Sequence, residues 1–194
     1  MGLEQEDEIP IEKTLRGLVA RARTKTYAGN GKPVGHPAIE GTTQLEYKEG
    51  NYFYRDIYVT GENNFAGQEI LYEDDKPIWS MVYFGSLNLS GLNQYPYYRR
   101  SSKREIYDFL KESLKDNATH VRFGEGITTI NNEEFFYEDE PNKEFEGGVG
   151  FSGKEIIRFK GTVVYVMRYQ GGPLPEGWVS NLTELKGLPP DATT

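Results

Sequence analysis

Two glutamates occupy like places in two nearly identical phrases, Glu69 in FAGQEI and Glu155 in FSGKEI, 86 residues apart. Paired carboxylates suit general acid–base work, because environment can push two such groups to different pKa values. On that reading the chain is a hydrolase or lyase with Glu69 and Glu155 as its working pair. The same two residues could instead be structural groups, each satisfying an arginine or a backbone donor. Arg168 is placed diagonally from Glu155 and is a ready partner.

Other reactive constellations fail on count or spacing. The chain has two histidines and no cysteine, too few ligands for a zinc site, so no metal is expected. GNGKP at Gly29 has the wrong length for a phosphate-binding loop, and no G-x-S-x-G supports a nucleophilic serine. His36 falls in a proline-flanked loop and His120 at the start of an expected strand. FEGGVGFSG reads as hairpin turns between strands. No cofactor is expected.

Composition sets the remaining bounds. There are 194 residues, with 14 Tyr, 10 Phe, 2 Trp and 22 Gly, a mix that suits a β-rich protein with many turns. Net charge is −8, so a phosphate backbone is repelled unless a local patch reverses the sign. YPYYRRSSKRE, with Arg99, Arg100, Lys103 and Arg104, is the one basic window. Nucleic-acid binding is not expected from it. MGLEQEDEIPI lacks the apolar stretch of a signal peptide, and no run is long enough to span a membrane. The expected location is cytoplasmic, with no membrane contact.

The elements that carry the two glutamates follow from periodicity. Leu15, Leu18, Val19 and Ala22 predict a helix over about 10–25. QLEYKEG, NYFYRDIYV, GQEILYE and PIWSMVYF then predict four strands, joined too tightly for parallel crossovers. SKREIYDFLKESLKDN predicts a second helix, with Ser102 and Glu105 as a capping box and Ile106, Phe109, Leu110 and Leu114 as the buried stripe. Strands return at about 133–138, 144–151, 154–159 and 162–170.

Sliding the chain by 86 brings Phe65, Gly67, Glu69, Ile70, Met81, Tyr83 and Gly85 onto Phe151, Gly153, Glu155, Ile156, Met167, Tyr169 and Gly171 without a gap. Each copy follows one helix. The expectation is an α+β fold of two helix-plus-antiparallel-meander halves, about 10–86 and 101–172, in one pseudo-symmetric domain spanning 1–194. An irregular tail covers 173–194.

A two-residue hairpin at Lys160-Gly161 predicts that Ile156 faces Tyr165, Lys154 faces Met167 and Ser152 faces Tyr169. Trp79, Tyr83, Tyr165 and Tyr169 then share one aromatic face, with Glu69 and Glu155 on the other. A slip of one residue would exchange the faces. Both faces read as apolar, with the helices covering one and the other half's sheet covering the second. The aromatic face is either ordinary core or the wall of a ligand cleft. Gly67 and Gly153, inside strands, mark bulges or close approach of another group.

KTYAGNG, EYKEGNYFYRDIY, FAGQE and PIWSMVYFG resemble a bacterial domain-of-unknown-function family, the one numbered 5680. The resemblance is clearest from about Lys25 to Gly85 and continues through FSGKEI to YQGG. It implies Tyr27, Tyr47, Tyr54, Asp56, Glu69, Trp79 and Tyr83 as positions of the family pattern. Val82 departs from it, where asparagine is implied. The resemblance also implies that such domains are sometimes joined behind a helix-turn-helix segment, for which this chain leaves no room.

The expectation placed first is a small-molecule-binding or sensor-like module with Tyr54, Glu69, Trp79, Tyr83, Glu155, Tyr165 and Tyr169 around its cleft. The paired-glutamate enzyme stands second, without a catalytic signature to support it. A protein-interaction adaptor stands third. Neither the ligand nor the oligomeric state is legible.

Overall fold

A computed structural model describes residues 15–88, 90, 102–123, 128–142 and 150–174. Helix α1 spans Leu15–Lys25 and is followed by strands β1 (Thr43–Glu49), β2 (Tyr52–Thr60), β3 (Asn64–Glu73) and β4 (Lys76–Leu87). Helix α2 spans Ser102–Asp116 and is followed by β5 (Thr128–Asn131), β6 (Phe135–Pro141), β7 (Phe151–Phe159) and β8 (Thr162–Pro173). The chain thus repeats one helix and four strands, as the sequence repeat predicts. Strand β5 had no counterpart among the expected strands. The segment expected at about 144–151 lies almost wholly outside the described residues.

The eight strands form one antiparallel sheet in the order β1-β2-β3-β4-β8-β7-β6-β5. Its midline is the β4–β8 pair, where Tyr83 stands opposite Tyr169. On either side Met81 faces Gly171 and Gly85 faces Met167, so the register reads the same from both strands. That is the signature of a pseudo-twofold axis through the Tyr83–Tyr169 pair, perpendicular to the sheet.

Both helices pack on one face. Leu15, Leu18, Val19 and Ala22 of α1 and Ile106, Phe109, Leu110 and Leu114 of α2 are all buried, as their spacing predicts. Phe109 stacks on Phe135, with ring centroids 5.2 Å apart. Among the described residues the other face has no second sheet over it, which corrects the expectation of two covered faces. The halves lie side by side in one sheet. Along β8 the pattern is therefore half-buried: Tyr165, Met167 and Tyr169 are buried while Arg168 and Gln170 are exposed. Val59, Ala66 and Phe84 line up across three strands on the outer face, and Phe84 is 60% exposed.

The expected hairpin register is also corrected, and the cause is a pair of bulges. Lys160-Gly161 does form the two-residue turn, with both residues at positive φ, and Phe159 faces Thr162. One extra residue, Val164, then enters β8, so that Arg158 faces Val163 but Ile157 faces Tyr165. The first half does the same with Ile78, between Tyr72↔Pro77 and Leu71↔Trp79. Both extra residues are buried and apolar. A one-residue bulge exchanges the faces beyond it. Glu69 and Glu155 consequently lie on the helix-covered face, directly opposite Met81 and Met167 and together with Trp79, Tyr83, Tyr165 and Tyr169.

Candidate functional site: a duplicated buried charge cluster beside a cavity

The exchanged register turns the two glutamates into the centres of a buried ionic cluster. Each pairs across the sheet with an aspartate on the neighbouring strand, Glu69 with Asp56 and Glu155 with Asp139. Each aspartate accepts a hydrogen bond from the tyrosine at the midline. Tyr83 donates to Asp56 Oδ1 and Tyr169 to Asp139 Oδ1, both at 2.7 Å. To reach its aspartate, each tyrosine ring crosses the strand between them over a glycine. A methyl group at Gly67 would overlap the Tyr83 hydroxyl, and one at Gly153 that of Tyr169. Those in-strand glycines mark a close approach, one of the two roles their position predicts.

Buried carboxylates need cations, and two arginines supply them. Arg23 of α1 donates through Nε to Glu69 at 2.8 Å and lies over the rings of Trp79 and Phe123. Arg122, in the turn after α2, donates from Nε and Nη2 to the two oxygens of Glu155 at 2.7 and 2.8 Å. Its Nη1 stands 3.8 Å from Glu69, tying the two halves together. Burial opposes the charge on Arg122, and the Glu155 carboxylate more than offsets that, holding its pKa above the ordinary value. Glu155 also accepts the hydroxyls of Tyr137 at 2.7 Å and Tyr165 at 3.1 Å. Tyr54 hydrogen-bonds Glu69 in the same way. Arg168, named from the sequence as the partner of Glu155, instead points to solvent on the outer face.

Four carboxylates share two guanidinium groups, and the aspartates carry the imbalance. Burial, then the charge of Glu69, raises Asp56 to about 7. Burial, then the charge of Glu155, raises Asp139 to about 6. The halves differ in what else reaches the aspartate. Asp139 Oδ2 accepts the main-chain N–H of Arg122 at 2.7 Å, in addition to the Tyr169 hydroxyl at Oδ1. Among the described residues Tyr83 is the hydrogen-bond donor to Asp56, and Asp56 instead faces a cavity of about 330 Å³.

That cavity lies between α2 and the first half of the sheet. Tyr27, Tyr58, Tyr83, Tyr107 and Tyr165 form much of its wall, with Phe65, Leu110 and Met167. Lys103, Lys111 and Arg122 bring positive charge to it. Tyr27 meets Tyr58 edge-on at 6.4 Å, and the Lys111 ammonium sits 5.4 Å from the centre of the Tyr27 ring. A space of this size, walled by aromatic rings interspersed with polar and charged groups, has the make-up of a small-molecule site.

The structure distributes the residues named from the sequence between cavity and core. Tyr83 and Tyr165 line the cavity. Tyr54, Glu69, Glu155 and Tyr169 belong to the cluster behind it and are buried. Trp79 is 2% exposed and packs against Phe151 in the core, away from the cavity wall. Tyr47, one of the family-pattern positions, donates to Glu49 at 2.7 Å on its own strand. His120 lies in the turn after α2 rather than opening a strand. Val82 is exposed on the outer face, so its departure from the family pattern does not touch the cavity. Arg99 and Arg100 lie outside the described residues, whereas Lys103 lines the cavity. No helix among the described residues is long and apolar enough to cross a membrane.

Sequence reasoning missed Asp139, Arg23, Arg122 and Tyr137. One signal was present: Tyr54-Arg55-Asp56 and Tyr137-Glu138-Asp139 match at an offset of 83. The longer β6–β7 connection hides that match from the ungapped offset of 86.

An antiparallel sheet with both helices on one face, and a twice-repeated aspartate–glutamate–tyrosine cluster beneath them, defines an internally duplicated α+β protein. The chain belongs to the family described as domain of unknown function DUF5680, whose model matches residues 56–174, more than half its length. The match begins at the cavity aspartate and runs through both midline tyrosines. No curated protein matches the chain.

Proposed function

We propose that this protein binds a small molecule in the cavity between α2 and the first half of the sheet. The observation that carries this reading is Asp56, a carboxyl 3% exposed that lies on the cavity wall with one hydrogen bond, from Tyr83, and no ion pair among the described residues. Burying such a group without a full set of partners costs stability, and a fold keeps that arrangement most readily where a ligand completes it. Binding there would stabilise the protein by mass action, by about 2.7 kcal/mol at a hundredfold excess over Kd.

The paired-glutamate reaction is the weaker reading. Glu69 and Glu155 do not line the cavity, and their oxygens are taken by Arg23, Arg122 and tyrosine hydroxyls. A general base needs reach to a substrate proton. Neither glutamate has that reach here.

The test is a thermal-shift screen of aromatic fragments, repeated on Tyr107→Ala. Tyr107 is a half-buried part of the wall, so its truncation leaves the main core in place. Fragments that stabilise the wild type should lose that effect in the variant. Hits that bind both proteins equally would place binding elsewhere, and the outer face with Val59 and Phe84 would become the better candidate surface.

A further inference from the structure

The pseudo-twofold axis offers a way to ask what the cavity takes. The two halves build the same polar unit, in which an aspartate on the second strand accepts from the midline tyrosine and lies beside a glutamate held by an arginine. In the second half the other aspartate oxygen, Asp139 Oδ2, is filled by the main-chain N–H of Arg122. The turn after α2 reaches that position because Arg122 adopts φ 60°, which points its amide at the carboxyl while its side chain reaches Glu155. In the first half the residues after α1 take another course. Tyr27 becomes part of the cavity wall, and the space beside Asp56 stays open.

The chemistry of the filled site therefore describes what the open one lacks. We infer that the ligand presents an N–H group to Asp56, in the role the Arg122 amide plays for Asp139, and carries an aromatic body that packs among Tyr27, Tyr58 and Tyr107. The class is a small aromatic amide or amine. This rests on the cavity being a binding site.

Two further observations agree with that class. The tyrosines present ring faces and edges suited to an aromatic guest. The Asp56 carboxyl carries less cationic compensation than either glutamate, so an N–H donor improves its environment whether neutral or charged. Lys111, and Lys103 with the ammonium protons its bond to the Glu62 carbonyl leaves over, offer donors for an acceptor at the ligand's other end. They also define the competing possibility, an aromatic anion held by the lysines with no bond to Asp56.

Four probes of similar shape separate these possibilities by calorimetric titration of the whole chain. Phenylacetamide and phenethylamine carry the N–H donor, methyl phenylacetate has the same body without one, and phenylacetate is an acceptor-only anion. The expected result is that at least one donor binds tenfold or more tightly than the ester, and that Asp56→Asn erases this preference. Asparagine keeps the shape and an oxygen for the Tyr83 hydroxyl, and circular dichroism of the variant establishes its folding. Equal binding of ester and donors, or tightest binding by phenylacetate, overturns the N–H assignment and leaves the cavity as a site. A protein that takes none of the four at millimolar concentration contradicts the cavity reading itself, and this inference with it.

Discussion

Tyr83 and Tyr169 stand opposite each other on the two central strands, and each turns its hydroxyl away from the other onto its own half's aspartate. A tyrosine pair at the centre of the axis thus anchors two copies of one buried polar unit. The copies differ in what else reaches the aspartate. This difference, not the repeated part, marks the candidate site.

Removing the first of these hydroxyls should have a pH-dependent cost. Tyr83→Phe deletes a bond to a buried carboxyl, worth about 1.5–3 kcal/mol when the acceptor is charged. Asp56 is charged above its raised pKa of about 7 and neutral below it. Urea unfolding should therefore show the larger loss at pH 8 and the smaller at pH 5. An equal loss at both values would mean that Asp56 does not titrate in that range.

The glycines beneath the tyrosines should not tolerate a methyl group. Gly67→Ala forces the Tyr83 ring off its path to Asp56, and overpacking of this kind costs about 1–3 kcal/mol. In the Tyr83→Ala background the same substitution should cost less, since the ring is gone and only the Ile57 carbonyl oxygen, 2.8 Å from the added methyl, still crowds it. A double-mutant cycle with no coupling would contradict the crossing geometry.

These residues also show how far the sequence could be read. The helix stripes and the 86-residue repeat were legible because they rest on local periodicity and ungapped identity. The faces were not. A turn as plain as Lys160-Gly161 fixes the register only as far as the first bulge, and nothing in the residue types around Val164 announces that β8 takes an extra residue there. The arginines were hidden for another reason: Arg23 lies on the apolar side of α1, where charge is unexpected, and Arg122 depends on a left-handed backbone in a turn. Tyr83 and Tyr165 were legible as cavity residues, while Asp56 stood only as part of a family pattern.

The stability contributed by Asp56 and Asp139 should fall as pH rises from 3.8 to about 7. Asp56 is faced by Glu69 on β3, Tyr83 on β4, Tyr54 and Tyr58 on β2, Arg23 on α1 and Arg122 after α2, and the net result is a raised pKa. Asp139 is raised as well. A group whose folded pKa lies above its unfolded value of 3.8 binds more protons in the native state between the two values. Its contribution is full below 3.8 and is lost as pH climbs through about 6 for Asp139 and about 7 for Asp56. The slope is at most about 1.4 kcal/mol per pH unit for each proton. Asp56→Asn should gain on the wild type between pH 5 and pH 8. A constant difference across that range would contradict the assignment.

Neutralising one member of the bidentate pair should be costly. Glu155→Gln leaves the Arg122 guanidinium buried without its main counter-charge, a change of about 3–5 kcal/mol. A loss below about 1 kcal/mol, measured by urea unfolding at pH 7, would show that the pair is not buried as described.

The central claim is that Asp56 has an open side toward a ligand while Asp139 is already satisfied. Carbon-detected NMR of the two side-chain carboxyl groups, titrated with and without phenethylamine, tests it most directly. The account predicts that Asp56 titrates near 7 and Asp139 near 6 in the free protein. On binding, the ammonium should pull Asp56 well down while Asp139 keeps its value. An Asp56 that titrates near 3.8 in the free protein, or two aspartates that respond alike to saturating phenethylamine, would contradict it.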